Sequence, residues 1–161
     1  MLEEITSIQS FYQKAKNLLL PDVFSFIDGG SLDELAVKRN RQYFHNIKLL
    51  PRVLRGLGEV SAQTQLFENN IAAPILIAPA AYQGLLSPMG ELDMLAAANQ
   101  FNTTMILSMF SSIDHVLVSQ KQTGPLWLQM YFLQDRAINK NFIHMAQNNN
   151  FGALVITVDA P

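Results

Sequence analysis

The chain has no cysteine, which excludes disulfide stapling and thiolate-held metal. It also lacks a long apolar run. The longest, residues 71–82, falls well short of the ~20 residues a membrane-spanning helix needs, and Pro74 and Pro79 interrupt it. Basic charge is scarce: 11 lysines and arginines are scattered along a chain of net charge −2. No stripe could neutralise a phosphate backbone, so nucleic acid is excluded as a partner. The start, Met-Leu-Glu-Glu, is acidic and leads into an amphipathic stretch, where a secretory leader would have a basic start and an apolar middle. The expectation is a cytoplasmic protein with no transmembrane segment, peripheral membrane contact being left open. A dinucleotide fingerprint is missing too, because Gly56-Leu-Gly58-Glu59 has neither the third glycine nor a preceding strand.

What is present is a chain of 161 residues, 49% hydrophobic, enough for one ordinary domain with a real core. Over residues 5–19, Ile8, Phe11, Tyr12, Ala15, Leu18 and Leu19 recur at steps of three and four, which places them on one helical face. Gly29-Gly30 breaks that pattern, and residues 32–43 resume it with Leu35, Val37 and Tyr43. The first section, to about residue 57, is therefore expected to be helical.

After Gln65-Leu-Phe67, a short strand candidate, a strand–helix rhythm begins. Strands are expected at 74–78, 103–108, 126–131 and 153–158, with helices at 90–101, 112–120 and from Asp135 to the Asn148-Asn-Asn150 and Gly152 stop. Ser111-x-x-Asp114 reads as a capping box for the second of these helices, and Asp135 as the cap of the third. Strand starts roughly 23 to 30 residues apart match βα units returning to a parallel neighbour. The fold class is thus α/β with a parallel sheet; periodicity alone fits both an open doubly wound sheet and a segment of a (β/α)₈ barrel.

In either architecture, ligands gather at the carboxyl ends of the strands. Those ends offer Pro79, Ala80, Ala81, Tyr82 and Gln83, then Ser108, then Gln129 and Tyr131, then Thr157 with Asp159. Neutral amides and hydroxyls of this kind suit an uncharged heterocycle better than a metal or a bare phosphate. His45, His115 and His144 lie in helical or surface-like stretches away from these ends, and no metal site is expected. Read singly, Ser108, Gln129, Thr157 and Tyr131 fit ordinary strand-end and packing roles equally well.

Together the motifs resemble a known family. Ile77-Ala-Pro-Ala-Ala-Tyr-Gln83, Pro88-x-Gly-Glu91, Leu107-Ser108, Leu128-Gln-x-Tyr131 with Asp135-Arg136, and Thr157-Val-Asp-x-Pro161 occur in order. Upstream stand Phe24-Ser-Phe-Ile-Asp-Gly-Gly30, Asp33, Asn40 and Leu50-Pro-Arg52. The set resembles the FMN-dependent α-hydroxy acid dehydrogenase and oxidase family, which includes glycolate oxidase and lactate oxidase.

The resemblance implies the N-terminal half of a (β/α)₈ TIM barrel, about four parallel strands preceded by a helical segment. Residues 1–161 would form a single partial domain, with 1–57 as its helical section and 65–161 as its first four βα units, the last incomplete. It implies FMN as cofactor and a small L-2-hydroxy acid, lactate- or glycolate-like, as the substrate oxidised to the 2-oxo acid. Pro79, Ala80, Ala81, Ser108, Gln129 and Thr157 match cofactor-binding positions, and Tyr131 matches a substrate-facing tyrosine. Phe26 stands where the family has a second substrate-side tyrosine. The loop 107–112 is shorter than its family counterpart and carries Phe110 where an aromatic, usually tryptophan, lines the pocket. The family's histidine base, arginine pair, flavin-side lysine and phosphate loops would fall beyond Pro161, so no catalytic residue is assigned and little turnover is expected from this chain alone. Alternatives are a non-catalytic or split half barrel, completed as a homo-oligomer or by a complementing C-terminal half, or a remnant of a degraded gene.

Overall fold

A computed structural model describes residues 5–159. The chain divides into two compact units, residues 1–58 and 59–161.

The first unit holds α1 (Ile8–Leu18), α2 (Pro21–Asp28) and α3 (Leu35–Asn46). Ser7 starts α1, its hydroxyl accepting the amide of Ser10 at 3.1 Å. The sequence pattern predicts no separate helix over 21–28; the structure has one because Pro21, at the first helical position, ends the run of α1 and opens α2 with its fixed φ. Gly30 is required by space, since a Cβ there would lie 2.5 Å from Val37 Cγ2. Polar and aromatic contacts join the helices: the Tyr12 hydroxyl donates to Asp28 Oδ2 at 2.8 Å, and the Tyr12 ring meets the Phe24 ring edge-on at 5.4 Å. The Arg41 guanidinium lies 4.8 Å from the centre of the Tyr12 ring and 3.8 Å from the Asp28 carboxylate. No residue of these three helices is fully buried.

The second unit begins with an antiparallel hairpin, β1 (Thr64–Leu66) with β2 (Asn69–Ile71). The strand expected around Gln65 is there; its partner is an additional element. A parallel sheet follows in the order β3 (Met105–Leu107), β4 (Leu126–Met130), β5 (Leu154–Ile156). Leu107 is in register with Leu128, and Leu128 with Leu154. The strand expected at 74–78 is reduced to one parallel bridge, Ile77 to Met105. Pro74 and Pro79 supply no N–H on either side, and the Ile75 amide turns back to the Ala73 carbonyl.

Three helices follow the strands: α4 (Glu91–Gln100), α5 (His115–Ser119) and α6 (Arg136–Asn148). Leu95, Ala98 and Val118 from α4 and α5 pack on Met105, Leu107 and Leu126 to form the core. Alternation along β4 then places Trp127 and Gln129 on the opposite face, and all five β4 residues are buried. Burial of a leucine such as Leu107 or Leu128 contributes about 1.5–3 kcal/mol. Asp135 caps α6 as expected, accepting the Ala137 amide at 2.8 Å. The capping box is corrected: Asp114 itself caps α5 through the Val116 and Leu117 amides, while the Ser111 hydroxyl donates to the Ile113 carbonyl. Among the described residues no helix is long and apolar enough to cross a membrane.

Candidate functional site

Parallel pairing in register delivers the strand ends to one rim. Ser108 directly follows β3, Gln129 lies within β4 and Thr157 directly follows β5. Their side chains form one chain of hydrogen bonds. The Ser108 hydroxyl donates to Gln129 Oε1 at 3.3 Å, the Met109 amide donates to the same oxygen at 3.2 Å, and Gln129 Nε2 donates to Thr157 Oγ1 at 2.8 Å. The Phe110 amide in turn donates to Ser108 Oγ at 3.1 Å. Ser108 and Gln129 are buried and Thr157 is half-buried.

This accounting fixes which hydrogens point onward. Ser108 uses its proton on Gln129, and both bonds to Oε1 hold the carboxamide in one orientation. Gln129 retains a second amide hydrogen, and Thr157, having accepted, retains its hydroxyl hydrogen. Among the described residues neither has a protein acceptor. The Ala80 and Ala81 amides are likewise without a protein acceptor among these residues. Pro79 and Ala80 are exposed and Ala81 is half-buried. Donors of this kind, neutral and oriented by a buried network, fit the polar edge of a flat heterocycle.

An aromatic row borders these residues. Tyr82 and Phe110 stack with ring centres 6.1 Å apart at 25°, and Phe110 and Tyr131 lie 5.7 Å apart. Strand alternation predicts Tyr131 at this rim; nothing in spacing alone predicts Tyr82, whose left-handed backbone, φ 55°, turns the ring toward Phe110. Phe26 lies on α2 of the first unit, 58% exposed.

A second feature escapes pattern reading. Glu91, the first residue of α4, is fully buried, and its carboxyl group accepts the backbone amides of Gln83, Ser112 and Ile113 at 3.1, 2.9 and 3.2 Å. In the sequence Glu91 stands in the Pro88-x-Gly-Glu91 motif as an acidic residue after glycine at a helix start, which the helix dipole favours at any such position and which does not by itself reveal a buried acceptor.

The histidines do not reach this rim as acid–base groups. His115 Nε2 lies 3.0 Å from the Ser108 carbonyl oxygen and its ring meets Phe142 edge-on, while His45 and His144 are exposed. A cavity of about 240 Å³ is lined by Asp114, His115, Val116, Asn141, Phe142 and Met145, all of α5, its cap and α6. It shares no residue with the strand-end network. Among the described residues no cluster of acidic or histidine side chains could hold a metal.

Comparison with known proteins agrees with this geometry. The FMN-dependent dehydrogenase family matches residues 15–161. A 2-hydroxyacid oxidase of Dictyostelium discoideum is 36% identical over 99% of the chain and 42% of its own length. Glycolate oxidase 3 of Oryza sativa subsp. indica is 32% identical over 99% of the chain and 44% of its own. A mandelate oxidase solved with (S)-4-hydroxymandelic acid superposes with a TM-score of 0.90 at 30% identity, covering 98% of this chain and 44% of that one. These neighbours are TIM-barrel flavoenzymes, and the parallel sheet with its helices is part of such a barrel, without closure. The chain spans less than half the length of the relatives it matches. With a family match over residues 15–161, an unclosed portion of a flavoenzyme barrel, and a rim of neutral donors that suits a flavin, the chain belongs to the FMN-dependent dehydrogenase family.

Proposed function

We propose that this chain supplies one wall of an FMN site in an enzyme that oxidises a small L-2-hydroxy acid, lactate- or glycolate-like, to the 2-oxo acid. The observation that carries the reading is the Ser108–Gln129–Thr157 network, which leaves two oriented donors at the rim. FMN, when bound, supplies the two-electron acceptor. Gln129 Nε2 and the Thr157 hydroxyl would hold the polar edge of the ring system, and the Pro79–Ala81 backbone would contribute the Ala80 and Ala81 amides. Donors fixed before reaction stabilise developing negative charge without reorganising. Tyr131 faces the substrate, where its phenol hydrogen-bonds the hydroxyl or carboxylate.

Phe26 matches, by the family resemblance alone, a substrate-side position that carries a tyrosine in the family, and here it lacks the hydroxyl. One hydrogen bond to a charged group contributes about 1.5–3 kcal/mol, roughly tenfold to a hundredfold in affinity. The helical section and the βα units are read as sections of one domain, and the base is read as lying outside these 161 residues. Loss of a positioned base costs about 10²–10⁴ in rate, so the 161-residue chain by itself should show negligible turnover. Titration of the purified chain with FMN tests the reading: quenched flavin fluorescence and raised anisotropy support it, and unchanged signals with a colourless protein refute it.

A second reading, a half barrel completed by another chain, is favoured by β5. Its outer edge has no strand partner among the described residues, and its first residue, Leu154, is 38% exposed. Size-exclusion chromatography decides this: a compact monomer counts against it.

A further inference from the structure

Two loops border the rim, one carrying the Ala80 and Ala81 amides and the other carrying Ser108, which orients the Gln129 carboxamide, and the geometry points to Glu91 as the residue that sets one loop against the other; we propose that it is a positioning residue for the FMN site. This rests on the reading of that rim as a flavin wall. The first loop, 79–86, carries Ala80 and Ala81; the second, 108–114, carries Ser108 and Phe110. Glu91 takes one amide from the first loop, Gln83, and two from the second, Ser112 and Ile113. Gln83 passes the constraint back toward the rim, its Nε2 donating to the Ala80 carbonyl at 3.3 Å.

Two further bonds follow the same seam. The Tyr82 amide donates to the Phe110 carbonyl at 3.0 Å, and the Gly84 amide to Ser112 Oγ at 2.9 Å. The approach leaves no room for a side chain at position 84, where a Cβ would lie 2.8 Å from Ser112 Cβ. Among the described residues Glu91 is nevertheless the single group that bonds both loops through one helix-anchored side chain. Its full burial makes replacement costly, because three amides, that of Gln83 in a buried pair, would lose their acceptor. An analogous but unrelated clamp exists at the amino ends of the strands, where Asn99 Oδ1 accepts the Thr123 and Gly124 amides and Asn99 Nδ2 donates to the Lys121 carbonyl. It provides a control.

The full chain is compared as wild type, E91Q, E91L and N99A, by amide hydrogen exchange and by FMN titration. E91Q keeps one acceptor oxygen and E91L none, so exchange of the Gln83, Ser112 and Ile113 amides should rise in the order wild type, E91Q, E91L, by about tenfold or more at each step. The Leu128 and Gln129 amides should keep their rates. FMN dissociation constants should rise about tenfold in E91Q and stay unchanged in N99A. The proposal is overturned if the three amides keep their protection in E91Q, if all amides of the second unit accelerate equally, or if wild type and E91Q bind FMN alike. Wild type that fails to bind FMN removes the cofactor reading, and the loop clamp is then judged on the exchange rates alone.

Discussion

The two units of this chain are stabilised by different means. Among the described residues none before Ile71 is fully buried, and the first unit is joined by the Tyr12–Asp28–Arg41 cluster and the Tyr12–Phe24 ring pair. In the second unit an apolar core of Leu95, Ala98, Met105, Leu107, Val118 and Leu126 lies under one sheet face, and polar hydrogen-bonded side chains occupy the end of the other. The difference teaches where precision comes from. A strand-end donor can be oriented only if its strand cannot slide, and register is held by the buried face. Charge pairs on an exposed helical surface offer little of that stiffness.

The widest contrast is expected from truncating apolar side chains. Leu128→Ala in the buried sheet should cost about 2–5 kcal/mol, whereas Leu50→Ala, at a position 78% exposed, should stay within about 0.5 kcal/mol. Urea denaturation measures both, and similar losses would break the comparison. Next is Gln129→Leu. It strands the Met109 amide and removes the link to Thr157, for a loss of about 1–3 kcal/mol together with weakened FMN quenching. Asp135→Ala removes the α6 cap and should cost about 1 kcal/mol in the same denaturation assay.

The smallest effect belongs to the first unit and depends on pH. The Tyr12 phenol is raised above its ordinary value, first by its hydrogen bond to Asp28. Because the protonated phenol is the donor, its contribution is fully present below the unfolded value near 10 and is lost as pH rises through the higher folded value. Helical signal from α1–α3 followed between about pH 9 and 12 should fall more steeply in wild type than in Tyr12→Phe. Equal slopes would remove the cluster from the account.

Much of the second unit was legible because each of its signals has a local cause. Apolar runs with period two, Asp135 at a helix start, and glycine and asparagine at helix ends all act over a few residues. The strand at 74–78 was misjudged because apolar content hid the missing amides of Pro74 and Pro79. In the first unit, expected to be helical to about residue 57, Pro21 opens a helix of its own that periodicity did not separate, and the helical section ends at Asn46. At the rim, Ser108, Gln129 and Thr157 were selected by their position at strand ends, and their mutual bonding follows from register that no single segment encodes. Tyr82 was named at a strand end and Glu91 within the Pro88-x-Gly-Glu91 motif, but neither was given a role. A buried carboxyl group that accepts three amides from two loops has no sequence period, and a left-handed tyrosine is visible only in the backbone.

The central claim, that the strand ends of the second unit form one wall of an FMN site, is tested most directly by mapping amide chemical shifts of the full chain during FMN titration. Shifts concentrated at Ala80, Ala81, Ser108, Gln129 and Thr157, and abolished by Gln129→Leu, are the predicted result. Saturating FMN that leaves those amides unmoved, or moves only residues around the α5–α6 cavity, would contradict it.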